Sequence, residues 1–342
     1  MSLNDLQAVL ATETENFSNQ EMAAASREVT EAYRLGLPEG RLPQFSPLHL
    51  AAYAQVRMPA TAAVGAAVLR RCLESTGHTH FASHLDLFSG PGTMVWAASG
   101  ALPQPPEYTT LLEQDPRFIA LGKRLLAAGE VAAGQNIAYQ QARLPTFPSS
   151  LGPHDLVTLS YGLGELPVVD LDDVVQHAWN FTQQALVLIE PGTPRGFALM
   201  ARARELLIAS GAVIIAPCPH QMMCPMLAAQ HGTQKKWCHF AERVSRTRDH
   251  RRIKGGVVGF EDEKYSYVIA CRPGFTNLIP RSSQQVSARL VGRPRVRNAG
   301  VDLPLCMPDG TLADLLAPRR DKVFFRLAKS CGWGDEIIIT NF

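Results

Sequence analysis

From Ser18 to about Ser75, apolar residues recur at three- and four-residue spacing, with alanine-rich runs at 22–25 and 60–69. That period predicts a helical N-terminal region. Ser46-Pro47 reads as an N-cap with proline in the first turn, and the helix it opens is expected to stop near Met58-Pro59. At His84 the pattern changes to short apolar runs alternating with helical stretches. Strands are expected at 84–88, 108–112, 136–140, 155–160 and 185–189, with helices at 116–126, 171–181 and 197–207 between them. Such alternation predicts a parallel sheet covered on both faces. Two more strands, 212–216 and 265–270, stand roughly 48 residues apart, too far for a plain connection, so an insertion is expected there.

Composition fits a globular chain: 342 residues, 46% hydrophobic and 19% charged. The most apolar stretch, 206–216, is about half the roughly 20 residues a bilayer helix needs, and no membrane partner is expected. The N-terminus carries Asp5, Glu13 and Glu15 without a basic flank or apolar core, unlike a signal or transit peptide. A cytoplasmic, bacterial setting is the expectation. Charge is unevenly placed. Residues 1–200 hold 11 basic against 19 acidic side chains, whereas residues 201–342 hold 22 against 12, which predicts a polyanion-binding C-terminal part.

The turn after the first strand reads Asp86-Leu87-Phe88-Ser89-Gly90-Pro91-Gly92. Gly90 and Gly92 let the backbone approach a ligand, but the third glycine of a dinucleotide site is missing and Pro91 offers no N–H to a pyrophosphate. Glu113, ending the second strand, is placed to accept from both ribose hydroxyls. Asp86 suits an ammonium group. A ribose joined to a cationic amino-acid head is S-adenosylmethionine. Catalytic candidates in the loop after the fourth strand are Tyr161, which could stack a base, and Glu165, which could orient one.

Seven cysteines in a cytosolic chain are not a disulfide framework. Cys218, Cys224 and Cys238 lie in the expected insertion, separated by five and 13 residues, and Cys306 returns from downstream. Four thiolates suit zinc or an iron–sulfur cluster, and these gaps favour the larger cluster over tight zinc knuckles. His220, His231 and His239 are rival ligands. Arg243, Arg246, His250, Arg251, Arg252 and Lys254 follow directly; on a helix, Arg243, Arg246 and His250 would share a face. Arg289, Arg293, Arg295 and Arg297 would line one side of a strand. With Arg319, Arg320, Lys322, Arg326 and Lys329 they predict a surface for structured RNA, with no DNA partner expected.

The motifs D-L-F-S-G-P-G-T-M-V-W-A-A (86–98), S-Y-G-L-G-E-L-P (160–167) and L-I-E-P-G-T-P-R-G (188–196) together resemble the methyltransferase-like family of the ribosomal small subunit, which has bacterial members and a mitochondrial small-subunit assembly factor. A-Y-A-Q-V-R-M-P-A-T (52–61), W-C-H-F (237–240), H-R-R-I-K-G-G (250–256) and L-C-M-P-D-G (305–310) extend the likeness from about residue 45 to the C-terminus. Phe88 departs from the small residue common in that turn. The resemblance implies a class I methyltransferase sheet whose seventh strand runs antiparallel between the fifth and sixth. It also implies a 4Fe-4S cluster on Cys218, Cys224, Cys238 and Cys306.

The expected organisation is therefore an N-terminal helical domain (1–78), an S-adenosylmethionine-binding α/β domain (79–280) with an iron–sulfur and basic insertion (217–256), and a basic C-terminal segment (281–342). The expected function is an iron–sulfur RNA methyltransferase acting on the small ribosomal subunit or its rRNA as a monomer. The alternative is a non-catalytic assembly factor that holds immature rRNA.

Overall fold

The computed structural model describes residues 3–35, 46–78, 80–129, 131, 133–228, 236–275 and 285–340. Three helices open the chain: α1 (Leu3–Glu13), α2 (Asn19–Leu35) and α3 (Pro47–Thr76). The Ser46 side chain caps α3 as expected, but the helix does not stop at Pro59. It continues to a left-handed Gly77, and Thr61 Oγ1 donates back to the Arg57 carbonyl at 3.0 Å. The apolar run 60–69 is buried against the sheet below, and that burial outweighs the lost proline N–H.

The sheet is built from β1 (Ser83–Leu87), β2 (Tyr108–Glu113), β3 (Asn136–Gln141), β4 (His154–Ser160), β5 (Thr182–Pro191), β6 (Val213–Ala216), β7 (Phe240–Ser245) and β8 (Phe260–Cys271). Between them run α4 (Thr93–Ala101), α5 (Pro116–Ala128), α6 (Leu171–Asn180), α7 (Pro194–Ala209), α8 (Pro225–Ala228) and α9 (Arg248–Lys254). The strand order is β3-β2-β1-β4-β5-β8-β6, with β8 antiparallel to both neighbours. Strand alternation divides the core. Val157, Leu159, Leu186 and Leu188 pack with α6 and α7 on one face, while Leu156, Ala185, Val187 and Ile189 pack with α3 and α4 on the other.

The stretch between β6 and β8 is an arm. The first half of β8 leaves the sheet and pairs only with β7, and α9 fills the connection between them. Ile253 of α9 is buried against Met22, Ala25 and Val56. Arg243 therefore lies on a strand and Arg246 before the helix, so the expected single helix through Arg243, Arg246 and His250 does not form.

The C-terminal part folds as an antiparallel sheet of β9 (Gln285–Leu290), β10 (Arg295–Val296), β11 (Gly300–Cys306), β12 (Leu312–Pro318) and β13 (Glu336–Thr340), with α10 (Lys322–Ser330) before the last strand. Arg289 ends one strand, and Arg295 begins another beyond Pro294, so the arginine series does not share one strand face. Buried Arg289 instead ties the two sheets, donating to the Pro217 carbonyl at 2.8 Å and to Gly334 at 3.1 Å.

Candidate functional site at the carboxyl ends of the strands

The turn after β1 keeps its N–H groups occupied. Ser89 N donates to the Leu112 carbonyl, Gly92 N to the Ser89 carbonyl, and Gly90 N to Glu113 Oε2 at 2.8 Å. The other Glu113 oxygen accepts from Asp115 N at 2.8 Å. Burial raises the Glu113 carboxyl, partly offset by those two N–H donors. Behind the turn lies a buried polar chain that the sequence reading missed. His84 Nε2 is 2.7 Å from Thr158 Oγ1, which donates to Asp86 Oδ1 at 2.6 Å. Burial drives His84 down to about 3, so it is neutral, and pushes Asp86 up to about 7. Asp86 Oδ2 is buried without a partner. Polar residues inside central strands (Thr158 in β4, His84 in β1) were the available signal.

The loop after β4 carries both catalytic candidates. Tyr161 adopts φ +59°, a left-handed state that costs a side-chain-bearing residue about 1–2 kcal/mol. Its hydroxyl is buried without a partner. Burial, then the Glu263 and Glu190 charges, keep that phenol protonated well above its ordinary range. Glu165 stays accessible to solvent, yet desolvation and the charges of Glu113 and Glu190 push it up to about 8. Glu190, ending β5, pins the loop by accepting from Leu163 N at 2.8 Å and Gly164 N at 3.4 Å. Burial, and after it the Glu165 charge, raises the Tyr53 phenol on α3. Neither Glu190 nor Tyr53 was singled out from the sequence.

This donor set fits an S-adenosylmethionine-like ligand in part. Unpartnered Asp86 Oδ2 can accept from an ammonium group, and each Glu113 oxygen has acceptor capacity left beside its one N–H. Phe88 does not fit so readily. It holds φ +57°, and a Cβ built on Gly162 would lie 2.5 Å from its Cδ2. The ring thus rests on the loop after β4.

The cysteine expectation needs correction. Cys218, Cys224, Cys238 and Cys306 do approach one another. The Cys238 thiol is pushed well up by burial and then by the other three. Even so, among the described residues no group of three or more His, Cys, Asp or Glu side chains is arranged to hold a metal ion. Burial also raises Cys218, Cys224 and Cys306. Cys306 Sγ lies 3.4 Å from His220 Nε2. The 4Fe-4S cluster, its zinc alternative and the metal-binding insertion are not upheld. His231 lies outside the described residues. His239 packs between Trp237 and Trp333.

The basic candidates divide into locked and open groups. Glu261 Oε2 receives Arg246 and Lys254 at 2.7 Å each, with His250 3.4 Å from its other oxygen. Arg243 pairs with Asp262 at 2.7 Å and Arg297 with Asp302; Arg252 is a loose 3.7 Å from Asp249. Among the described residues Arg248, Arg251, Arg293 and Arg295 have no ion-pair partner. The Asp262 carboxyl is lowered by its hydrogen bond with Arg243 and also by the Arg293 charge. Beyond α9, Val257 and Val258 are exposed at the arm's tip.

The strand order, with one antiparallel strand between the fifth and sixth positions, defines a Rossmann-like class I methyltransferase sheet carrying N-terminal helices. Residues 47–338 match the family described as mitochondrial small ribosomal subunit Rsm22, and the chain belongs to that family. The human mitochondrial ribosome assembly protein METTL17 is 30% identical over 267 residues, covering 73% of this chain and 54% of the relative. The mitochondrial Rsm22-cox11 tandem protein 2 of Schizosaccharomyces pombe is 26% identical over 300 residues, covering 73% and 38%. The chain thus spans about half the length, or less, of these curated relatives. Among solved structures, magnesium protoporphyrin IX methyltransferase from Synechocystis PCC 6803 with bound SAM is similar at 13% identity and a TM-score of 0.40, covering 71% of this chain and 90% of that one. The curated relatives are named as mitochondrial, which overturns the expectation of a cytoplasmic bacterial protein. No described helix is long and apolar enough to cross a membrane.

Proposed function

We propose that this chain is a small-ribosomal-subunit assembly factor that binds immature rRNA and does not itself transfer methyl groups. The observation that carries the reading is the arm. Glu261 locks Arg246 and Lys254 inside it, which fixes the backbone from which exposed Arg248 and Arg252 and half-buried Arg251 project. Arginines held on a rigid element suit phosphates of structured RNA, which is recognised through shape and backbone. Arg243, Arg293, Arg295 and Arg297 extend this surface toward the C-terminal sheet. The relatives' names, which include ribosome assembly proteins, support the same reading.

The loop after β4 supports the non-catalytic half of the proposal. Transfer to a base needs an accessible group that positions the nucleophile or removes its proton. The Tyr161 hydroxyl is buried and stays protonated, so it offers no accessible base. The test uses two assays on immature small subunits. Labelled S-adenosylmethionine should deposit no methyl groups. The paired substitution Arg251→Ala and Arg252→Ala should flatten the salt dependence of rRNA binding by about 0.7–0.9 log units per lost phosphate contact. Stoichiometric methyl incorporation, or an unchanged slope, would reject the corresponding half.

A further inference from the structure

In an open α/β sheet, ligands enter the crevice outside the carboxyl ends of the strands, where the chain order switches direction. Here β2 lies on one side of β1 and β4 on the other, so that crevice opens between the ends of β1 and β4. Phe88 is the first residue after β1, and Gly162 lies just beyond β4. The Phe88 ring rests directly on Gly162, so closely that even a methyl group there would collide with it. Both flanking residues with side chains, Phe88 and Tyr161, hold left-handed backbone at φ +57° and +59°. Strain of this kind at facing strand ends persists only where the surroundings enforce it. The ribose side of the turn differs: a Cβ on Gly90 would meet nothing within 4 Å. Two residues before Phe88, the buried Asp86 Oδ2 has no hydrogen-bond partner.

We infer that Phe88 is a gate that selects among ligands of this crevice, closing its amino-acid end while leaving the nucleoside end at Gly90 and Glu113 open. A nucleoside binds without moving the ring. A nucleoside with an amino-acid tail reaches Asp86 only when the ring swings off Gly162. If the ring is out about a tenth of the time, affinity for the tailed ligand falls about tenfold. The inference stands apart from the rRNA reading, and neither depends on the other.

Calorimetry on the full chain tests it, with adenosine and S-adenosylhomocysteine as the two probes. Phe88→Gly removes the ring and suits the positive φ. Phe88→Asn, a residue that tolerates the same backbone, guards against a glycine-specific loss of folding. Either folded variant should bind S-adenosylhomocysteine about tenfold or more tighter than the parent, while adenosine affinity stays within about twofold. Gly162→Ala should lower the melting temperature of the parent but not of Phe88→Gly. The gate is overturned if the folded variants gain nothing for S-adenosylhomocysteine, or if both probes tighten equally.

Discussion

Replacing Glu261 with glutamine should loosen the arm while leaving the central sheet intact. The parent carboxylate accepts from Arg246 and Lys254 at 2.7 Å each, and its side chain is only 9% exposed, so solvent screens these contacts weakly. A hydrogen bond to a charged partner contributes about 1.5–3 kcal/mol. Two would give about 3–6, but the glutamine carbonyl keeps one bond worth about 1 kcal/mol, which leaves a loss of about 2–5. The direction agrees with the titration of the group. Burial acts to raise Glu261, yet the hydrogen bonds from Lys254 and Arg246 outweigh it and hold the carboxyl below its ordinary range. A lowered folded-state value contributes stability above the unfolded pKa, and that stability is lost as pH falls through the folded one. The penalty should therefore be full at pH 7 and shrink in acid. Because the arm lies outside the central sheet, it can open separately from it once Glu261 is lost, so a global melt can understate the loss. Amide exchange of Gly256, whose N–H donates to the Arg251 carbonyl at 2.8 Å, reads the arm directly. Exchange at Gly256 should speed up by about 30-fold or more. Unchanged exchange, with a melt shifted by less than about 0.5 kcal/mol, would show that Glu261 does not hold the arm.

Three further outcomes follow from buried polar groups. Asp86 is raised to about 7 by burial, so its contribution is fully present below the unfolded carboxylate range and is lost as pH climbs through 7; urea melts at pH 5 and 8.5 should show Asp86→Asn flattening that decline by about 2–4 kcal/mol. Thr158→Val strips Asp86 Oδ1 of its donor and should cost about 1–3 kcal/mol at pH 7 by the same melts, and an unchanged midpoint would dismiss the polar chain. Arg289→Ala removes the bonds to Pro217 and Gly334 and should cost about 2–3 kcal/mol, with limited proteolysis between the two sheets as the check. No new cleavage there would mean the arginine is not the tie.

The sheet was legible because its strands are short apolar runs bounded by turn residues, and each expected strand of the α/β part lies within an observed one or shifted from it by a residue. The family likeness supplied the antiparallel position of β8, which spacing could not. Pro59 misled because local chemistry says stop while the buried alanine-rich face of the following turns says continue. The arm was hidden because β7 (Phe240–Ser245) is mostly polar, exposed on alternate residues and stabilised by pairing with the extended, largely charged start of β8. The four cysteines show the limit of spacing arguments. Their spacing did not produce a metal-holding arrangement among the described residues. In the candidate site, Asp86 and Glu113 were readable from strand-end position, whereas Thr158, His84 and Glu190 act through partners that only the folded sheet brings within reach.

The docking of α9 on the N-terminal helices sets an order in time. Met22 and Ala25 emerge early from the ribosome that makes this chain, but Ile253, which completes their apolar cluster, follows roughly 230 residues later. At about 5–20 residues per second that wait lasts some 10–45 seconds. During it the outer face of α2 is a half-built interface, and any mutation or stall that delays the arm lengthens its exposure. A chain truncated before the arm would keep that face uncovered permanently, so its fate is decided by holdases and proteases rather than by the stability of the sheet.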